Sequence, residues 1–216
     1  MRRLLLLATL SATLGALAPS ASAQLPEGRD VLLGRSAEGR AIRAVRLGDP
    51  GSPRKALVVG VVHGNEAAGL RVTRALRDRA GIDGVDLNRN FPRGWRRSSR
   101  RSAYYSGSRA ASERESRIVM RLIERIRPAV TVWYHQPWGA VLRPCSGEAS
   151  VQRRYASLAG MPTSCRGAGL RGTATAWQRH AIAGSTPFVV ELPGGGISAK
   201  AARRHARAAA LVAAGR

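Results

Sequence analysis

Carboxylates are scarce in this chain. Only 13 Asp and Glu stand against 36 Lys and Arg in 216 residues, a formal net charge of +23. Lysine is nearly missing too: only Lys55 and Lys200 occur, so arginine carries the charge. The arginines are scattered, and the densest run, Arg93 to Arg101, holds Gly94 and Trp95 but fits no nucleic-acid module; no nucleic-acid partner is expected. An arginine-biased composition and affinity for an anionic cell-wall polymer account equally for such a charge. Cysteine is limited to Cys145 and Cys165, which are not spaced with histidines, and this excludes a cysteine-built zinc module. Long apolar runs are missing after the N-terminus, so no membrane span is expected there. Internal repeats and low-complexity linkers are missing as well, and the sequence carries no signal for an oligomeric state.

At the N-terminus, Arg2 and Arg3 precede an apolar stretch from Leu4 to Leu17, and Ala21-Ser22-Ala23 supplies the small-x-small pattern a signal peptidase needs. Residues 1–23 are therefore expected to be a signal peptide cleaved before Gln24, and the mature chain to be secreted. What remains, 216 less 23, is 193 residues, enough for one domain over 24–216. Its charge is +23 less two arginines, or +21. Export permits a disulfide, and one Cys145–Cys165 bridge near the active site is expected.

Val31–Gly34 and Ala41–Val45 flank the turn-like Ala37-Glu38-Gly39-Arg40 and predict a hairpin. Ala56 to Val62 is an unbroken β-branched run, as for a strand buried on both faces, and it leads to His63. A helix is expected over 67–79. A second helix is expected from Ser112, which has Glu115 three residues on as a capping box, with an apolar face of Ile118, Val119, Leu122, Ile123 and Ile126 and a stop at Pro128. Two further strands, Ala129–Tyr134 and Pro187–Val190, end at His135 and Glu191, and an Ala-rich helix spans 198–214. Strands alternating with helices predict an α/β fold with a largely parallel or mixed sheet. Ligands in such folds collect beyond the carboxyl ends of strands, where His63, His135 and Glu191 would meet.

His63-Gly64-Asn65-Glu66 puts a histidine and a glutamate within reach of one metal ion on a strand-to-helix turn. Alone, this pair reads better as an ordinary surface turn. Catalytic zinc takes three protein ligands and keeps a position open, and His135, which follows a similar apolar run, is the best third ligand; His180 and His205 sit in poorer settings. Glu191 is the remaining strand-end carboxylate, suited to moving the proton of an attacking water. Gly84 to Pro92, GVDLNRNFP, contains Asn88 and Arg89, which can clamp a carboxylate, though without further context the segment is a plain Asx-rich turn.

Together these pieces resemble the zinc carboxypeptidase family, and most closely its bacterial branch of murein peptide amidases. The resemblance lies in HGNE, GVDLNRNFP, Tyr105-Ser106-Gly107 followed by Ser112-Glu113-Arg114-Glu115-Ser116, the strand ending in His135, and Phe188-Val189-Val190-Glu191-Leu192-Pro193. It implies a three-layer α/β/α sandwich around a mixed, mostly parallel sheet. It also implies one zinc ion on His63, Glu66 and His135, Glu191 as general base, and Asn88 and Arg89 gripping a substrate carboxylate. Gly172 to Trp177 resembles the stretch lining the family's specificity pocket; Thr175 is its substrate-facing residue, and no acidic side chain there favours a basic substrate. The family's mobile tyrosine has no counterpart near Ala168–Arg171. Only Ala80-Gly81-Ile82-Asp83 separates Arg79 from Gly84, where the family carries a further core strand, so the sheet is expected to lack one core segment.

The implied function is hydrolysis of a peptide amide bond next to a free carboxylate, with peptide, including peptidoglycan stem peptides, as substrate. Two other readings stay open: an acyl-amino-acid hydrolase of the aspartoacylase or succinylglutamate desuccinylase type, which shares HGNE and DLNR, and a catalytically dead cell-wall-binding relative.

Overall fold

A computed structural model of the chain describes residues 28–60, 63, 66, 68–69, 85–166 and 169–215. The expected leader, Val61 and Val62, Gly64 and Asn65, most of the helix expected over 67–79, the Ala80–Asp83 spacer and Ala168 lie outside these residues. Ala68 and Gly69 are helical.

The predicted hairpin forms as β1 (Arg29–Arg35) and β2 (Ala41–Arg46), an antiparallel pair with Val31 opposite Ala44. It is a two-stranded sheet of its own. It packs on helix α1 (Arg114–Ile126), where Glu115 Oε1 accepts the Ala37 N–H at 3.1 Å. That bond corrects the expected capping box. Glu115 reaches out to the hairpin, Glu113 is the N-cap residue and gives no side-chain cap, and the Ser112 hydroxyl accepts from Asn90 Nδ2 at 2.8 Å. The helix ends as expected: Arg127 turns left-handed (φ 43°) and Pro128 cannot continue it.

The central sheet has the order β3-β4-β7-β5-β6. Its strands are β3 (Ala56–Val59), β4 (Val130–His135), β5 (Trp138–Leu142), β6 (Thr163–Ser164) and β7 (Thr186–Pro193). β3, β4 and β7 run parallel, β5 is antiparallel to β7, and β6 is parallel to β5. The sheet is therefore mixed and mostly parallel, as expected. β4 is buried along its whole length, but β3 is only partly buried, contrary to the reading of its apolar run. The reason is position: among the described residues β3 pairs with β4 alone.

Side chains alternate across the strands and build two cores, as the pleat requires. Val58, Val130, Val132, Tyr134 and Val190 face one side, against Tyr155 and Ala159 of α2 (Ser150–Ala159) and Ala208 and Val212 of α4 (Ala199–Ala213). Leu57, Val59, Trp133 and Val189 face the other, against Ile123 of α1, Trp177 of α3 (Ala174–Ala181) and Phe91. This is the three-layer α/β/α arrangement. The second core matters for function because Phe91, edge-on to Trp133 with ring centres 6.2 Å apart, anchors the segment that carries Asn88 and Arg89.

Candidate metal centre

β4 and β7 lie in parallel register with His135 beside Glu191, so two residues 56 positions apart emerge from the sheet as neighbours. Glu191 does not terminate its strand as expected; β7 continues to Pro193 and pairs there with Trp138. His63 lies beyond the end of β3, and Glu66 follows it with its N–H bonded to the His63 carbonyl at 3.1 Å. Gln136 ties the region together: its Oε1 accepts from the Ala68 N–H at 3.0 Å and its Nε2 donates to the carbonyls of Pro193 and Gly195, both at 2.7 Å.

His63, Glu66 and His135 converge as predicted, with candidate ligand atoms within 4.8 Å of one another. Nδ1 of His63 lies 2.9 Å from Glu66 Oε1, and Nδ1 of His135 lies 3.1 Å from Glu66 Oε2. The second pair is at ion-pair distance but outside hydrogen-bonding geometry, so Glu66 Oε2 is a buried acceptor with no hydrogen-bond partner among the described residues. A cation bound by both imidazoles would satisfy that oxygen. Two imidazoles and one carboxylate are a recognised donor set for catalytic zinc, and the residues fit the ion.

Burial opposes a charge on His63, but its bonds to Asp86 and Glu66 outweigh burial and raise its pKa to about 9. Burial would likewise raise Glu66; the pull of His135 and His63 overcomes it and holds the carboxyl at about 2. Glu191 differs. Burial pushes its pKa up, the charge of Glu66 adds to this, and His135, a backbone bond from Trp138 and His63 offset part of it. One of its oxygens, Oε2, is buried without a hydrogen-bond partner among the described residues.

Asp86 is a site residue that the sequence reading passed over. Its Oδ1 lies 2.9 Å from Nε2 of His63 and also accepts the Asn88 N–H at 2.9 Å, capping the 3₁₀ turn Leu87–Arg89. A carboxylate bonded to the far nitrogen of a ligating imidazole fixes its tautomer and orientation. The available signal was the carboxylate in DLNRN, in a chain with so few.

Asn88 and Arg89 line the same cleft, of about 1140 Å³. The Asn88 side-chain oxygen accepts from the Ala174 N–H at 3.1 Å, so the amide NH₂ is the group left for a ligand. Arg89 Nη1 donates to the Asn88 carbonyl at 2.8 Å, and the guanidinium lies 5.3 Å over the exposed ring of Tyr104. Asn90 beneath them is fully buried, and its Nδ2 binds the Ser106 carbonyl at 2.8 Å while its Oδ1 accepts from Glu113 N–H at 3.1 Å. Two glycines permit this packing. A Cβ at Gly107 (φ +83°) would fall 2.5 Å from Asn90 Nδ2, and one at Gly172 (φ +67°) 2.5 Å from the Arg89 carbonyl. Thr175 sits on the first turn of α3, lining the cleft, and Thr173 caps that helix by accepting from Ala176 N–H at 3.2 Å. Gly169 and Leu170 line the cleft where a tyrosine was missed; among the described residues its phenol is Tyr104. The Cys145–Cys165 disulfide forms, and Cys145 lines the cleft. His180 is exposed and His205 is buried in the core, so neither joins the site.

The zinc carboxypeptidase family model matches residues 69–164, a span that holds Asn88, Arg89 and His135, while His63, Glu66, Thr175 and Glu191 fall outside it. Among solved structures, the chain is similar to murein-tripeptide amidase from Escherichia coli O157, with 22% identity over 88% of this chain and 94% of that one, and a TM-score of 0.68. It is also similar to carboxypeptidase A from Helicoverpa armigera, with 18% identity, 87% and 69% coverage, and a TM-score of 0.68. At these identities the likeness is one of fold. No curated protein matches the chain in sequence.

Proposed function

We propose that this chain, a zinc metallohydrolase of the carboxypeptidase type, hydrolyses a peptide amide bond next to a free carboxylate, with peptidoglycan stem peptides as substrate outside the cytoplasm. One observation carries the reading: the three-ligand group, Glu191 and the Asn88–Arg89 pair all line a single cleft. The metal, held by His63, Glu66 and His135, supplies Lewis-acid activation of a carbonyl and of water.

The remaining work falls to the chain's own side chains. Arg89 offers its fork to the substrate's terminal carboxylate, and the Asn88 NH₂ adds a donor beside it. That grip orients the amide carbonyl toward the metal end. Glu191 takes the proton of the attacking water, its basicity raised by burial, and hands it to the departing amine. Thr175 borders the side chain of the bound substrate, and nothing acidic beside it favours a basic one. Fold likeness to a murein-tripeptide amidase, the signal-peptide pattern of residues 1–23 and a charge suited to an anionic wall support the substrate and the location.

The test is an assay of zinc-loaded protein on stem peptides, simple dipeptides and N-acyl amino acids, with and without a chelator. Chelator-sensitive release of a C-terminal residue from the peptides is expected. Turnover of N-acyl amino acids alone would move the chain to the acylase reading, and binding of peptidoglycan without any turnover would make it a dead relative. Sequencing the exported protein should give Gln24 as its first residue.

A further inference from the structure

The acidic charge of the cleft is gathered at one end. Among the described residues its acids, Glu66, Asp86 and Glu191, all cluster around His63 and His135. The wall built by β5 and β6 is cationic: Arg143 follows β5, Arg166 follows β6, both line the cleft, and neither enters an ion pair among the described residues. The Cys145–Cys165 disulfide, with Cα atoms 4.9 Å apart, joins the chain two residues after Arg143 to the chain directly before Arg166, and so pins the two arginines to one wall. Arg143 is further oriented, its Nε donating to Thr163 Oγ1 at 3.3 Å and its Nη1 to the Pro144 carbonyl at 2.9 Å, which leaves Nη2 for a ligand. The Arg166 guanidinium lies 5.9 Å over the exposed ring of Trp138.

Their place in the sheet says what they can touch. β5 lies two strands from β4 and β6 lies three. With neighbouring strands ~4.8 Å apart, the two arginines stand roughly 10–15 Å from the strand bearing His135. That backbone offset sets them to the side of the metal ligands, within reach of a second group on the same substrate. A carboxylate is the group that matches paired, pre-oriented guanidinium forks.

We infer that Arg143 and Arg166 form a second anion subsite, which reads a side-chain carboxylate of the substrate in addition to the terminal carboxylate held by Arg89. This rests on the peptidase reading above. The enzyme therefore prefers peptides with an acidic residue flanking the cleaved bond.

Binding tests the subsite apart from turnover. Calorimetry on zinc-loaded Glu191→Gln protein would compare two peptide pairs, one differing only by Glu or Gln in the terminal residue and one differing only by Glu or Gln in the residue before it. The Glu peptide of one pair should bind about tenfold more tightly, equivalent to one well-made charge-assisted contact, and the pair that responds tells which residue is read. Arg143→Gln and Arg166→Gln, each with an unchanged melting temperature, should abolish that preference while leaving the Gln peptide's affinity intact. Equal affinity within both pairs, or a preference that survives both substitutions, would overturn the subsite while leaving the peptidase reading standing. Failure of every peptide to bind would sink both.

Discussion

Asp86 Oδ1 lies 2.9 Å from Nε2 of His63, on the side of the ring opposite Glu66. The carboxylate thus grips the imidazole from behind, and the same oxygen caps the turn that presents Asn88 and Arg89. One buried acid couples the orientation of a metal ligand to the position of the carboxylate clamp.

Replacing Asp86 with Asn should therefore weaken zinc binding by about 10- to 100-fold, the usual effect of losing such a partner. Competition with a chromogenic chelator measures it. Affinity equal to wild type would show that His63 is oriented without Asp86.

Glu191→Gln keeps the shape of the side chain and removes its basicity. Turnover should fall by ~10²–10⁴-fold while zinc content stays at one ion per chain. Equal turnover by the two proteins would take Glu191 out of the reaction.

Asn90 has no solvent exposure and joins the 3₁₀ turn to the Ser106, Arg109 and Ser112 loop. Asn90→Ala would leave several buried groups without partners, at about 1–3 kcal/mol for each. A drop in stability of about 3 kcal/mol is expected in denaturant melts, together with a raised KM as the clamp shifts. A loss below 0.5 kcal/mol would mean that water takes over these bonds.

His205 gives the pH dependence. Burial, aided by Arg204, lowers its pKa to about 4 from the ordinary 6.5, and its Nδ1 lies 2.8 Å from the Tyr155 hydroxyl, itself 2.8 Å from that of Tyr134. Folding thus favours the neutral ring. Its contribution is fully present above pH 6.5 and is lost as pH falls through about 4. Melting temperature should decline over that window in wild type and less steeply in His205→Leu. Parallel profiles would assign the acid sensitivity to other groups.

Much of this molecule was legible in its local patterns. The hairpin, the buried β4, the Pro128 helix stop and the alternation of strands and helices follow from period, propensity and punctuation, which act over a few residues. The meeting of His63, His135 and Glu191 was legible too, because each follows an apolar strand run and such runs deliver their C-terminal residues to one edge of the sheet. Ser112 shows where local reading fails. Its capping pattern is sound, yet its hydroxyl goes to Asn90 and Glu115 goes to the hairpin, because contacts across the fold outcompeted a cap worth about 1 kcal/mol.

What the sequence determined by itself was which side chains could hold zinc, move a proton and grip a carboxylate, since that chemistry belongs to residue type and to the run leading into each residue. What only the tertiary structure decided was who stands beside whom. Register between β4 and β7 put Glu191 next to His135, a turn folded back on itself set Asp86 behind His63, and one disulfide gathered Arg143 and Arg166 on one wall of the cleft. These are long-range juxtapositions, set by strand pairing and packing, and no pattern within a short window of sequence carries them.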